Sequence, residues 1–184
     1  MHENAFLIRF IYEGGVMRVN LSNGDSSFIK EVVEKFSDMV LRIAYQNLKN
    51  YCDAEDVVQD VFIKLMKEDN FQDENHIKAW LIKVTINRCK DINKSSWYKK
   101  TEPFTKEIEE FTDEEKNVLE EVMNLPKDYR NVVYLFYYEG YKISEIAKIL
   151  DKKDNTISSQ LTRARKKLKI NLLKGGYEYE RGRL

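Results

Sequence analysis

Residues 143–173 read ISEIAKILDKKDNTISSQLTRARKKLKINLL, and this stretch decides how the second half of the chain folds. Ile143, Ile146, Ala147 and Leu150 recur three and four apart and form one apolar stripe. Ile157, Leu161, Ala164 and Leu168 form a second. Only Asp151 to Asp154 lie between them, so the connection is tight. Two short amphipathic helices joined this way match a helix-turn-helix, whose second helix enters the major groove of DNA. With the stripe turned to the core, Ser158, Ser159 and Thr162 face outward near the helix start, where short hydrogen-bonding side chains reach base edges. Arg163, Arg165, Lys166, Lys167 and Lys169 follow and suit phosphates, which give affinity and salt dependence rather than sequence choice. The competing readings are a solvated basic face or a membrane-surface helix. The second conflicts with the need of the domain core for the same apolar stripe.

Upstream, Gly140 ends a helix expected over Lys127 to Tyr138, with Pro126 in its first turn. Thr112 with Glu115 forms a capping box that opens a helix to about Asn124. Pro103 and an acidic run mark 101–111 as a flexible acidic linker. The first half reads as three helices. One starts at Asp25 as cap and runs to about Lys49, with Phe28, Val32, Phe36, Val40, Ile43 and Ala44 at helical spacing. Asn50 and Tyr51 break the pattern. Asp53 with Asp56 then gives a capping-box-like start to a helix ending near Lys67, with Val57, Val58, Val61, Phe62 and Leu65 inward. A polar loop, Glu68 to Asn75, carries a lone Phe71. The third helix, His76 to Ser95, places Ile77, Trp80, Leu81, Val84 and Ile92 inward, and Lys83, Asn87, Arg88 and Lys90 on a polar, mostly basic surface.

The expected architecture is therefore all-α: two small helical domains joined by the acidic linker. An N-terminal extension spans 1–24, the first domain 25–100, the linker 101–111, the helix-turn-helix domain 112–174 and a frayed tail 175–184. Formal net charge is zero over 184 residues, but the charges are segregated. Residues 80–100 carry six basic and one acidic side chain, 101–121 two and nine, and 141–174 ten and three. That layout suggests two polyanion-facing regions around an acidic segment, against the plainer reading of three solvated helix faces.

Several function classes are disfavoured. No run of eighteen apolar residues exists, so no membrane insertion is expected. Ala5 to Tyr12 is apolar but interrupted by Arg9 and lacks a small-residue cleavage site. Cys52 and Cys89 are expected to be reduced, and with His2 and His76 they form no zinc-type spacing. No phosphate-binding loop or nucleophile elbow appears, so neither catalysis nor a cofactor is expected.

Three separated motifs resemble the sigma-70-type factors of the extracytoplasmic-function group. They are DAEDVVQDVFIKLMK at 53–67, AWLIKVTINRCKDI at 79–92, and LPKDYRNVVYLFYYEGYKISEIAKIL with NTISSQLTRARKKL within 125–168. The resemblance runs from about Ser27 to Leu173. It implies a cytoplasmic initiation factor that binds core RNA polymerase and promoter DNA. Asp56, Gln59 and Asp60 would meet the beta-prime clamp helices, and the second domain would lie near the beta flap. Phe71, Lys83, Asn87, Arg88 and Lys90 would handle the −10 element, with Asn87 near a captured base and Phe71 either stacking on an unstacked base or covering the small core. Ser158, Ser159, Thr162, Arg163, Arg165, Lys166 and Lys169 would read the −35 element. The resemblance also implies an anti-sigma factor as a partner.

The chain departs from the pattern at Asp151, where a turn glycine is usual, at Asp154, usually apolar, and at Lys142, usually a capping serine or threonine. Ser158 and Gln160 replace positions that are often basic, so an unusual −35 preference is expected. The first sixteen residues match nothing in the family. Either Met17, preceded by Glu13 to Val16 that a purine-rich ribosome-binding sequence can encode, is the natural start, or Phe6 to Tyr12 packs on the first domain. Two alternatives of different kind stand beside the initiation-factor reading: a free-standing helix-turn-helix regulator, and a redox or metal sensor using Cys52 and Cys89.

Overall fold

The computed structural model describes residues 23–68, 71–95 and 120–174, and among these every regular element is helical. The chain divides into two compact units, Met1–Phe104 and Thr105–Leu184. The N-terminal segment with Met17 and Phe6 to Tyr12, the acidic stretch 101–111, the capping box at Thr112 and the tail 175–184 all lie outside the described residues.

The first unit contains α1 (Asn23–Leu48), α2 (Tyr51–Leu65) and α3 (Glu74–Ser95), each packed on the other two. Helix α1 buries Val32, Val33, Phe36, Val40, Ile43 and Ala44. Phe28, read as part of that stripe, is 43% exposed. Asp25, expected as the cap, lies within the helix, which already includes Asn23.

The joint between α1 and α2 also differs from the sequence reading. Lys49 adopts φ 57°, and its N–H donates to the Tyr45 carbonyl, so α1 ends in a left-handed residue without glycine. Asn50 then turns extended, and its side-chain oxygen accepts the Asp53 N–H at 2.9 Å. Asn50 is thus the cap of α2, a role expected of Asp53. The residues that break the apolar pattern do so because they form the junction itself.

Helix α2 buries Ala54, Val57, Val58, Val61, Phe62 and Leu65. Helix α3 begins at Glu74, two residues earlier than expected, with the Asp73 carboxylate accepting the His76 N–H at 2.7 Å. Its buried face is Ile77, Leu81, Ile82, Thr85, Ile86 and Cys89, while Trp80, Val84 and Ile92 are only half-buried. The inward face is therefore rotated from the expected one. A polar residue can occupy it because the Thr85 hydroxyl donates to the Leu81 carbonyl one turn back, at 2.6 Å.

In the second unit, a helix ending at 120–123 precedes Pro126, which flanks α4 (Lys127–Val133) as its cap rather than entering its first turn. Arg130 is only 3% exposed and donates to the Met123 carbonyl, tying α4 to that helix end. Burial lowers its pKa from the usual guanidinium value. The helix expected to run evenly to Tyr138 instead widens into a π-helix over Tyr134–Tyr138, closed by the Glu139 N–H on the Tyr134 carbonyl at 3.1 Å. Gly140 follows at φ +74°, a conformation that favours glycine.

Helices α5 (Ile143–Leu150) and α6 (Asp154–Lys174) are joined by Asp151, Lys152 and Lys153. Asp151 is left-handed at φ 54°, ψ 52°, so the turn demands there the conformation that a glycine supplies most easily. Lys142 offers no side-chain acceptor. The Glu145 carboxylate compensates from the other side, accepting the Lys142 N–H at 2.7 Å. Ile146, Ala147 and Ile149 of α5 and Ile157, Leu161 and Ala164 of α6 are buried, and α6 packs on both α4 and α5.

Candidate nucleic-acid interface

Two sets of residues read from the sequence fall on the first unit. On α2, Asp56 is exposed, and Gln59 and Asp60 are half-buried. On α3, Lys83, Asn87 and Lys90 are exposed, with the Lys90 ammonium donating to the Asn87 amide oxygen at 3.4 Å. The structure brings the two sets together at one point. Arg88 Nε meets the Asp60 carboxylate at 2.7 Å. The sequence reading assigned these residues to different partners. The pair spans 28 positions on two helices, so no local spacing rule could have announced it.

Phe71 is half-buried, with its ring edge-on to His76 at 5.7 Å and to Trp80 at 5.6 Å. Trp80, expected in the core, supports this loop aromatic at the surface. The His76 Nδ1 accepts the Gln72 N–H at 3.3 Å, which fixes the loop beside the rings. Phe71 also lines a groove of about 300 Å³ with Phe28, Val32, Phe36 and Ile77, and the Lys35–Glu74 ion pair stands at its wall at 2.6 Å. The exposed Phe28 is thus part of the groove lining.

On the second unit, Ser158, Ser159, Thr162, Arg163, Lys166, Lys167 and Lys169 of α6 are exposed. Arg165 differs. It is half-buried, its Nε donates to the Tyr137 hydroxyl at 2.7 Å, and its guanidinium carbon lies 5.5 Å from the Phe136 ring centre and 5.6 Å from that of Tyr137. The two rings meet edge to face at 5.0 Å. Next to them Tyr138, 62% exposed, stacks on Tyr134 at 5.0 Å. At the foot of α5, burial pushes the Tyr141 phenol up to about 12, helped by Glu139 and Glu145, so it stays protonated near neutral pH. Asp128 receives Lys152 at 3.1 Å and the Gln160 amide at 3.5 Å, which ties the turn and α6 to α4.

Chemically, these surfaces offer hydrogen-bonding and cationic groups for a polyanion and a carboxylate-bearing helix for a basic partner. Among the described residues no cluster of potential metal ligands occurs. Cys52 is exposed, and Cys89 is buried with its thiol 3.9 Å from the Ala44 carbonyl. No described helix is long and apolar enough to cross a membrane.

Residues 32–98 match the family Sigma-70 region 2, and residues 115–168 match Sigma-70, region 4. The chain belongs to the sigma-70 family. Relatives of this sigma-70 chain include RNA polymerase sigma factor SigV of Bacillus subtilis (strain 168), 29% identical over 141 residues that make up 72% of this chain and 84% of the relative. ECF RNA polymerase sigma factor SigW of the same strain is 25% identical, over 83% of this chain and 92% of the relative. Among solved structures, the sigma factor RpoE in complex with the anti-sigma factor NepR from Bartonella quintana aligns with a TM-score of 0.64 at 22% identity, covering 80% of this chain and 97% of that one. CnrH in complex with the cytosolic domain of CnrY aligns at 0.60 and 20%, over 95% and 99%. These alignments support the all-helical fold. In the sigma-70 frame, α1 to α3 form region 2, and α4 to α6 form region 4.

Proposed function

We propose that this sigma-70 chain is a transcription initiation factor whose region 2 binds core RNA polymerase and whose region 4 lies on duplex promoter DNA. The observation that carries this is the presence of both family regions on one chain. A free-standing helix-turn-helix regulator needs no region 2. In this reading the exposed Asp56, with Gln59 and Asp60 beside it, meets a basic helical surface of the polymerase, the beta-prime clamp helices. Region 4 approaches the beta flap. The α5–α6 pair acts as a helix-turn-helix. Ser158, Ser159 and Thr162 contact base edges of the −35 element, and Arg163, Lys166 and Lys169 contact phosphates.

In the same reading Phe71, backed by His76 and Trp80, offers a ring to an unpaired −10 base, and Asn87 offers an amide to its edge. Lys83, Arg88 and Lys90 follow the phosphate path. Capturing unpaired bases offsets an unstacking cost of a few kcal/mol each, so opening needs no covalent chemistry from this chain. The chain works in the cytoplasm, where its polymerase is, and binds an anti-sigma protein, as RpoE forms a complex with the anti-sigma factor NepR.

Run-off transcription with purified core enzyme on genomic fragments tests the proposal. Discrete transcripts that depend on this chain are expected, together with co-purification of chain and core. Duplex binding without core association would move the chain to the regulator class.

A further inference from the structure

Arg165 stands out within the basic run of α6, and its position follows from helix geometry before any contact is considered. At 100° per residue, Arg165 lies about 70° from the middle of the Ile157–Leu161–Ala164–Leu168 stripe, while Arg163 and Lys166 lie about 130° and about 170° away. Arg165 is thus the cation nearest the core. The structure fills that position with a specific socket. The guanidinium carbon lies 5.5 Å from the Phe136 ring centre, and Nε donates to the Tyr137 hydroxyl at 2.7 Å. Both rings belong to the π-helix, whose wider turn sets where they point.

We infer that Arg165 is a positioning residue rather than a phosphate contact: the Phe136–Tyr137–Arg165 clamp fixes the rotation of α6 against the π-helix and so sets which side chains meet the base edges. This rests on the proposal that α6 reads duplex DNA. A planar guanidinium suits the task because it stacks on rings and donates in its own plane, and an ammonium cannot do both. The consequence differs from that of a phosphate contact. Losing a phosphate contact weakens all sequences alike and lowers the salt slope. Losing the clamp leaves the ionic contacts and the buried stripe and loosens the setting of α6 at its Arg165 edge, so cognate DNA suffers and unrelated DNA does not.

The test uses the holoenzyme reconstituted from core polymerase and the full chain, bound to the duplex that the wild type enriches from a randomised pool and to a scrambled duplex of equal composition. Failure of the wild type to enrich any sequence would count against the DNA-reading proposal itself. Given enrichment, Arg165→Gln should lower the cognate-to-scrambled affinity ratio roughly tenfold, with scrambled affinity and salt slope unchanged. Lys166→Gln should lower the slope by about one and leave the ratio intact. Tyr137→Phe, which removes only the acceptor, should lower the ratio in the same direction, and the double variant should fall short of the product of the two single losses. Arg165→Lys should fail to restore the ratio. The inference is overturned if Arg165→Gln lowers the slope by about one, if Arg165→Lys restores binding, or if Tyr137→Phe leaves the ratio unmoved. Equal loss on both duplexes, the mark of a merely less stable domain, also overturns it.

Discussion

Region 2 and region 4 present their candidate contact residues in opposite ways. In region 2 these residues sit on separate helices and a loop, and cross-helix contacts such as Asp60–Arg88 and Phe71–Trp80 hold them. In region 4 the candidate base and phosphate contacts are strung along one helix, α6, and the shaping contacts lie behind it, at Arg165 and Asp128. On α3, Arg88 and Lys90 are therefore partly engaged by neighbours, at Asp60 and Asn87. Most basic residues of α6 are displayed outward. Counting charges along the sequence treats both regions alike, and the structure shows that they are not.

The contrast can be broken most severely from inside region 4. Leu161→Ala removes a side chain that is 2% exposed beneath the outward face of α6, and should destabilise the unit by about 2–5 kcal/mol. Calorimetry of the full chain should show the region 4 transition lowered and that of region 2 retained. Asp56→Lys reverses an exposed charge on α2 and should weaken core-polymerase association about 10- to 100-fold by competition binding, with duplex contacts of α6 unaltered. Asp151→Val places a β-branched residue at φ 54° and should cost about 1–2 kcal/mol in thermal unfolding, whereas Asp151→Gly should not destabilise. Asn50→Ala removes the cap of α2 and should cost about 1 kcal/mol, confined to region 2. The smallest effect belongs to Asp60–Arg88. Its side chains are 41% and 39% exposed, so a double-mutant cycle should return a coupling below about 1 kcal/mol. A much larger coupling would mean that the α2–α3 pair is rigidly prearranged.

The sequence shows a good part of this in advance, and its failures have physical causes. The centres of the α5–α6 stripes are legible because the joint is only a few residues long: Ile146, Ala147, Ile157, Leu161 and Ala164 are buried, but Ile143, Leu150 and Leu168 are only half-buried, and Ile149 is buried instead. The α2 stripe is legible because its apolar residues recur at helical spacing. The rotated face of α3 is not, because Thr85 hides its hydroxyl in an intrahelical bond and so enters the core unannounced by polarity. The Asn50 cap is missed because two acidic candidates follow it, and only the left-handed Lys49 fixes where α2 begins. At the candidate sites the residue types are readable, but their pairing is not. Asp60 with Arg88 and Tyr137 with Arg165 are each 28 positions apart. Helical spacing reports neighbours three or four positions away and is silent beyond that.

The π-helix at Tyr134–Tyr138 has a consequence of another kind. A π turn holds one residue more than the α turn it replaces, so it works as a single-residue insertion that the helix has absorbed instead of looping out. Deleting one residue there would restore an even α-helix and raise local regularity. Everything after it would then be dialled round by about 100° about the axis. Gly140 would no longer fall at the bend, and the rings that receive Arg165 would point elsewhere. The irregular turn acts as a phase setting between the front and back halves of region 4.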